Sequence, residues 1–424
     1  MNLIISVFNH FRETAAKGIY IFLSNILEKA TFFVLFVLLA RGFAIEMYGM
    51  IVASFAAANI IISIFESGYN FYLQRAVAAK DALISKTSNQ IFTLRIYLLI
   101  PYLLLSFGYY HFSNIHLPIV YVLIILTIFI FSVNNLCNSI FFGSGRFKTS
   151  FLLLFLSRIT LSTLFIIFLL LHTRIEIMVL AFFVGALVHF ILLYSNLRKT
   201  GFRLSIVKPD AELLKKISVS ALPMGIGMIL VWLYDRADTL MIQSILSTKA
   251  VAIYAAAYSI YKAPQALSGF LLTPLFTEYS TFFARNKYIQ KENFFNKFII
   301  LLFIGITFSS VIYFFSQAII VFLYKEYYEL SVPFLKVLVF ALPGLLFNNL
   351  TGTTLNAANK EKYVTIAVFI SALLNLSLNI TLMVKLKSIF VACYLTVLTE
   401  YISFFLQAAF IIKLRIFSKP QVIR

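Results

Sequence analysis

Long apolar runs separated by short polar connections occupy the chain from about residue 19 to residue 412. A helix needs about 20 apolar residues to cross the hydrocarbon core of a bilayer, because each residue advances the helix by about 1.5 Å. Twelve runs reach this length, and each is predicted to be a transmembrane helix. They cover residues 19–40, 45–72, 91–110, 118–140, 150–171, 175–195, 217–243, 250–277, 295–315, 331–355, 363–384 and 389–412.

The composition agrees with a chain that spans a membrane. Of the 424 residues, 61% are hydrophobic and only 12% are charged, whereas about 25% of the residues in a soluble domain are charged. The net charge of +19 would favour a nucleic-acid partner in a soluble protein. Here the basic residues fall in short loops between apolar runs, so no nucleic-acid partner is predicted.

The distribution of Lys and Arg predicts how the chain is oriented. With the N-terminus in the cytoplasm, the cytoplasmic segments contain 23 basic residues and the outer loops contain six. Cytoplasmic loops of membrane proteins are enriched in Lys and Arg. We therefore expect both termini to be cytoplasmic.

Two pairs of short segments repeat at a spacing close to half the chain length. Asn134-Asn135-Leu136 matches Asn348-Asn349-Leu350 with an offset of 214, and the segments entering spans two and eight match with an offset of 203. Six spans return a chain to the same side of the membrane, so the repeat is parallel. Such halves are related by an axis along the membrane normal and enclose a central cavity.

The predicted fold class is therefore an all-α polytopic membrane protein with about twelve transmembrane helices. Its predicted domains are a six-helix bundle over residues 1–200, a basic cytoplasmic linker over 201–216 and a second six-helix bundle over 217–424.

Ionisable side chains inside the spans are the candidate functional residues. A charge near the bilayer centre costs at least about 2.5 kcal/mol, so it tends to face a partner or a water-filled cavity. The candidates are Glu28, Lys29, Arg158, Asp235, Arg236, Asp238, Lys262 and Glu400. A substrate or proton-coupling site is one interpretation, and salt bridges that only orient the helices are the other.

Motifs of common enzyme and metal chemistry are missing from the sequence. There is no GxxxxGK[ST], HExxH or GxSxG segment, and the two cysteines, Cys137 and Cys393, lie far apart in apolar runs. We predict no catalytic residues, no metal site and no cofactor.

Several segments together resemble a known family. They are Ala221-Leu222-Pro223, Asp235–Ile242, Val251–Tyr258 with Pro274, and Leu39-Ala40-Arg41 followed by Tyr48-Gly49. Their order and spacing resemble Wzx-type polysaccharide flippases, a family within the multidrug/oligosaccharidyl-lipid/polysaccharide (MOP) superfamily, which also contains the MATE transporters. One departure is Ala252, where the family often has Gly.

The resemblance implies a function. Such flippases move an undecaprenyl-diphosphate-linked oligosaccharide from the inner to the outer leaflet of the bacterial cytoplasmic membrane, by alternating access. They serve O-antigen, capsule or exopolysaccharide synthesis, with a polymerase and a chain-length regulator as pathway partners. By this resemblance Lys29, Arg158, Arg236 and Lys262 contact the substrate, and Glu28, Asp235, Asp238 and Glu400 tune the cavity or carry protons.

Three alternatives stay open. A MATE-like drug or cation antiporter would favour an acidic cavity, whereas the spans here contain Lys29, Arg95, Arg158, Arg236, Lys262 and Lys336. A lipid II flippase would also carry an anionic lipid. A membrane glycan polymerase would need a large outer loop for its chemistry, and the longest outer connection, about 316–331, is short.

Overall fold

The computed structural model describes residues 2–66, 68–80, 83–113, 115–284, 289 and 291–417. Within these ranges the regular elements are helices, and a single isolated bridge joins Ile289 and Phe417. The all-α prediction is confirmed.

Seventeen α-helices, α1 to α17, and one 3-10 helix, η1, follow one another along the described chain. The first nine α-helices are α1 Asn2–Gly42, α2 Ile45–Glu66, α3 Tyr69–Ala78, α4 Ile84–Tyr97, α5 Leu99–Phe112, α6 Pro118–Gly143, α7 Phe147–Leu170, α8 Ile175–Lys199 and α9 Ala211–Ile245. The others are α10 Thr248–Lys262, α11 Gln265–Ala284, α12 Lys291–Phe314, α13 Ser316–Tyr324, η1 Glu326–Ser331, α14 Val332–Leu338, α15 Ala341–Ala357, α16 Glu361–Leu386 and α17 Ile389–Lys413.

Most of the predicted spans appear as long apolar helices. Among the described residues, ten helical segments are long and apolar enough to cross a bilayer, and a pair bent by 52°, Glu326–Leu338 with Ala341–Ala357, raises the number to 11. The remaining predicted span, 250–277, corresponds to α10 and α11, which are separated by Ala263 and Pro264. A multi-pass membrane protein is therefore confirmed, with a span count close to the predicted twelve.

The chain forms two compact units, Met1–Arg236 and Ala237–Arg424. In the first unit α8 packs against both α6 and α7, and α7 also packs against α1. In the second unit α17 packs against both α15 and α16, and α15 also packs against α11 and α12.

Helix boundaries repeat at the two offsets found in the sequence. Helices α1 and α9 end at Gly42 and Ile245, and α2 and α10 begin at Ile45 and Thr248, so both pairs are 203 residues apart. Helices α6 and α15 end 214 residues apart, and α7 and α16, as well as α8 and α17, begin 214 residues apart. The offset changes where α13 and η1 are inserted, between Phe314 and Val332.

The repeated Asn-Asn-Leu motif makes the same contact in each unit. The Asn134 side-chain amide donates to the carbonyl oxygen of Ala186 on α8 at 3.0 Å. The Asn348 amide donates to the carbonyl oxygen of Glu400 on α17 at 2.8 Å. Donor and acceptor are 52 residues apart in both units. The first Asn of the motif therefore fastens its helix to the last long helix of its own unit, which explains why this residue type recurs.

The segment leading into α9 is fastened to α4. The Gln90 side chain donates to the Lys208 carbonyl at 2.8 Å and accepts from the Asp210 backbone N–H at 2.9 Å. Lys86 pairs with the Asp210 carboxylate at 2.7 Å and lowers the pKa of that carboxyl. Helix α9 begins at Ala211, inside the predicted linker, and Pro223, predicted at the start of span seven, lies within α9. The division into residues 1–200, 201–216 and 217–424 stays a prediction.

Gly68, which follows α2, is expected to tolerate no side chain. Its φ is +77°, and a Cβ there would lie 2.4 Å from the Ala221 carbonyl oxygen and 2.8 Å from the Gly225 nitrogen, both backbone atoms of α9. Gly145 has a similar φ of +71° with open space around a Cβ. We expect Gly145→Ala to cost about 1–2 kcal/mol, the price of a left-handed backbone for Ala.

Gly68→Ala is expected to cost clearly more than Gly145→Ala, because the α9 backbone must also shift. Thermal unfolding of both variants in the same detergent measures the difference. Equal melting temperatures would contradict the close approach of α9 to Gly68.

Candidate transport site

Two predicted residues of the first unit form an ion pair. Arg158 Nη2 lies 3.0 Å from Glu28 Oε1. The Arg158 side chain is only 2% exposed, whereas the Glu28 side chain is 49% exposed. The guanidinium carbon lies 5.2 Å from the centre of the Phe32 ring and 5.3 Å from that of Phe131. These rings stabilise a buried cation through their π faces.

Much of the Arg158 guanidinium is left without hydrogen bonds. Its Nε and Nη1 atoms are buried and have no hydrogen-bond acceptor among the described residues. His189 on α8 is buried beside it, close enough for an electrostatic interaction, and the His189 Nε2 atom also has no described hydrogen-bond partner. Buried polar atoms are normally hydrogen-bonded, so these three nitrogen atoms have hydrogen-bonding capacity that the described side chains leave unused.

A second Arg–Glu pair in the first unit is enclosed. Arg95 Nη1 lies 3.6 Å from Glu66 Oε1, and their side chains are 1% and 8% exposed. The guanidinium also donates to Ser132 Oγ and, at 3.4 Å, to Asn70 Oδ1. This pair was not predicted as a site, and its enclosure indicates a structural role.

A polar cluster surrounds the predicted coupling residue Asp238, which is 5% exposed. The Tyr254 and Thr396 hydroxyls donate to Oδ2 at 3.1 and 3.2 Å, and the Asn379 amide donates to Oδ1 at 3.0 Å. Asn379 also donates to Asn375 Oδ1 at 3.1 Å. The cluster therefore draws on four helices, α9, α10, α16 and α17.

Glu400 lies in a second polar network of the same unit and is 2% exposed. Its Oε2 accepts from the Asn348 amide at 2.6 Å, and its Oε1 accepts from the Tyr261 hydroxyl at 3.4 Å. Gln407 extends the network by donating to Asn348 at 3.4 Å. Neutral donors thus contact both carboxylate oxygens in the interior of α17.

The other predicted residues are less enclosed. Lys262 Nζ lies 5.6 Å from the Tyr258 ring centre and 5.7 Å from that of Tyr261, the tyrosine whose hydroxyl donates to Glu400. Arg236 is half-buried, 6.0 Å from the Trp232 ring centre, and Asp235 is half-buried beside it in sequence. Lys29 is exposed next to Glu28.

A family model described as "Polysaccharide biosynthesis protein" matches residues 14–280, more than half of the chain. The chain belongs to this polysaccharide biosynthesis family. A second model, MatE, matches residues 223–381. No curated protein sequence matches the chain.

Solved structures of MOP-superfamily transporters share the fold. The lipid II flippase MurJ in an inward closed conformation aligns with a TM-score of 0.71 at 16% identity, covering 95% of this chain and 88% of that one. An inward-facing multidrug resistance MATE transporter aligns with a TM-score of 0.68 at 15% identity, covering 93% of this chain and 99% of that one. A MATE transporter from Vibrio cholerae gives a TM-score of 0.63 at 13% identity, covering 95% and 97%.

These comparisons confirm the resemblance to polysaccharide flippases and the MATE-like fold. This member of the polysaccharide biosynthesis family is a transporter or flippase of the membrane and not an enzyme. The roles of the individual site residues stay predictions.

The Asp238 cluster is specific to the second half of this polysaccharide biosynthesis protein. The repeat offsets of 203 and 214 relate Asp238, Tyr254, Asn379 and Thr396 to Leu35, Ile51, Phe165 and Phe182. The four equivalents are buried, and the Phe165 and Phe182 ring centres lie 5.8 Å apart. Where the second unit has carboxylate, amide and hydroxyl groups, the first has a hydrophobic cluster.

Sequence reasoning missed the neutral partners of the two acids. Asn375 and Asn379 are four residues apart in an otherwise apolar span, so they share one face of α16. Two amides at this spacing inside a membrane helix indicate a polar site, so this pair could have been predicted from the sequence. The sequence repeat identifies Asn348 only as part of a motif, although its side chain contacts Glu400 directly.

Proposed function

We propose that the protein moves undecaprenyl-diphosphate-linked oligosaccharide repeat units from the inner to the outer leaflet of the bacterial cytoplasmic membrane. These units serve O-antigen, capsule or exopolysaccharide synthesis, with a polymerase and a chain-length regulator acting on the product. The observation that carries this proposal is the match to the polysaccharide biosynthesis family over residues 14–280. The excess of cytoplasmic Lys and Arg supports cytoplasmic termini.

The chemistry of the buried cations supports an anionic cargo. A guanidinium forms charge-assisted, often bidentate hydrogen bonds with phosphate, and an ammonium attracts phosphate as a point charge. Arg158, Arg236, Lys262 and Lys29 are the proposed contacts for the diphosphate and for acidic sugars. Burying a cation costs energy, and Arg158 would repel a cationic cargo, so its presence favours an anionic one.

We further propose that Asp238 couples transport to a small cation. A buried carboxylate binds a proton or a hard cation, and the hydroxyl and amide groups that donate to Asp238 stabilise its charged form when no cation is bound. Coupling through Asp238 involves one site per chain, because the equivalent positions of the first unit are hydrophobic. Asp235, Glu28 and Glu400 tune the charge around the transport path in this mechanism.

A lipid II flippase is the second candidate function, favoured by the alignment with MurJ over 95% of this chain. Both cargoes carry a diphosphate, so a buried arginine is compatible with either function. The two cargoes differ in the glycan that is attached to the diphosphate. A drug or cation antiporter and a membrane glycan polymerase fit the buried cations and the family match less well.

Deleting the gene in its native strain tests the proposal. We expect surface polysaccharide to disappear and lipid-linked repeat units to accumulate on the inner leaflet, with rescue by the intact gene. Complementation with Arg236→Ala or Asp235→Ala tests the two predicted residues. Intact surface polysaccharide with arrested cell-wall synthesis would instead support the lipid II candidate. If the deletion strain keeps both its surface polysaccharide and its cell-wall synthesis but becomes more sensitive to drugs, the result would support an antiporter.

A further inference from the structure

The two Arg–Glu pairs of the first unit differ in the exposure of the carboxylate and in the number of oxygen acceptors around the guanidinium. Both guanidinium groups are almost completely buried. Glu66 is buried as well, and Arg95 has additional oxygen acceptors in Ser132 and Asn70. Glu28 is half exposed and is the acceptor that the described structure places on Arg158. The Glu28 carboxylate therefore has a route away from Arg158, whereas the Glu66 carboxylate is enclosed with Arg95.

The Glu28–Arg158 contact also leaves hydrogen-bonding capacity unused. One carboxylate oxygen, Oε1, contacts one nitrogen, Nη2, while the buried Nε and Nη1 atoms have no acceptor among the described residues. Phe32 and Phe131 flank the guanidinium and offer it no oxygen. A phosphate group has several oxygens and forms two parallel hydrogen bonds with arginine readily. A phosphate that displaces Glu28 therefore brings more oxygens to this guanidinium than the single one that Glu28 places on it.

From this contrast we propose that Glu28 occupies Arg158 until a phosphate of the lipid-linked substrate displaces it. The inference rests on the proposed function, since it assumes a substrate with a phosphate or diphosphate group. Glu28 acts as an internal competitor. It supplies the negative charge that a buried guanidinium requires when no substrate is bound. Its exposure allows it to leave when a phosphate arrives.

Competition predicts opposite effects for changes in the two partners. Glu28→Gln keeps the size of the side chain and removes its charge, so the phosphate no longer has to displace a carboxylate. The affinity of the protein for phosphate is expected to rise by roughly tenfold, which corresponds to the contribution of about one charge-assisted hydrogen bond. Arg158→Lys keeps the positive charge and removes the forked donors, so the affinity is expected to fall by at least about tenfold.

The test uses the purified full chain in detergent, with farnesyl diphosphate as the probe and isothermal titration to measure Kd. Glu66→Gln is the matched control, because it removes the carboxylate of the enclosed pair. It is expected to lower the melting temperature and to leave the Kd of the probe unchanged. If the Glu28→Gln variant is less stable than the wild type, farnesyl diphosphate should raise the melting temperature of the variant more than that of the wild type. The reason is that the phosphate restores the negative charge beside Arg158.

Each outcome decides between the claims. A Glu28→Gln affinity equal to or weaker than wild type would overturn displacement, and an unchanged Arg158→Lys affinity would overturn Arg158 as the phosphate site. Either result leaves the flippase function standing if the wild type still binds the probe. No binding of the probe by the wild type would remove the inference and the diphosphate substrate together. Inorganic pyrophosphate and phosphatidylglycerol in parallel titrations show whether the site takes a free phosphate or a membrane headgroup instead.

Discussion

Replacing Asp238 by Asn is expected to reduce the rate of coupled transport by about 100-fold or more while the protein still folds. Asn has the same shape as Asp but no charge, so Tyr254, Thr396 and Asn379 lose the carboxylate that accepts their hydrogen bonds. The Asn amide neither binds a proton nor offers a negative charge to a cation, so we expect the coupled rate to fall by about 100-fold or more, equivalent to about 2.7 kcal/mol or more in the barrier. Transport coupled to a cation gradient measures this loss.

Glu361→Gln is the control for Asp238→Asn. It also removes one carboxylate, but from the exposed start of α16. We expect its transport rate to match the wild type. Transport by Asp238→Asn at the wild-type rate would contradict the assignment of Asp238 as the coupling residue.

Replacing Glu66 by Ala is expected to destabilise the protein strongly. Arg95 would keep its charge in an enclosed site without its carboxylate, and removing one partner of a buried pair costs about 3–5 kcal/mol. The half-exposed Glu28 should cost less when changed to Ala, because the protein encloses its carboxylate less than that of Glu66 and partly exposed ion pairs contribute less. Thermal unfolding, followed by the fluorescence of Trp232, the only tryptophan in the sequence, compares the two variants. A larger loss for Glu28→Ala than for Glu66→Ala would reverse our interpretation of the two pairs.

The fold was predictable because apolar length and charge distribution are properties of continuous segments. Spans such as 118–140 and 389–412 lie within α6 and α17, and the Asn-Asn-Leu repeat predicted an offset that the helix boundaries reproduce. Breaks inside spans were harder to place. Pro264 lies at the break between α10 and α11, whereas Pro223 is accommodated inside α9.

The partners of the site residues were not predictable in the same way. Glu28 and Arg158 are 130 residues apart, and Asp238 meets Asn379 across 141 residues. The cost of burying a charge indicates that each residue has a partner, but not which one. Packing of α7 against α1 brings Arg158 to Glu28, and packing of α16 against α17 brings Asn379 and Thr396 to the Asp238 carboxylate. Neutral partners such as Tyr254 carry no charge signal, which is why the acids were found and their hydrogen-bond donors were not.

Flipping of a lipid-linked oligosaccharide in reconstituted vesicles is the most direct test of the proposed function. Purified protein is incorporated into liposomes that contain an undecaprenyl-diphosphate oligosaccharide, and an added glycosidase reports the fraction of the glycan in the outer leaflet. We predict that the glycan of both leaflets becomes accessible with the wild type, and only the outer half with Asp238→Asn or without protein. Protection of the inner half in the presence of active wild-type protein, with uptake of a cationic dye instead, would contradict the flippase function.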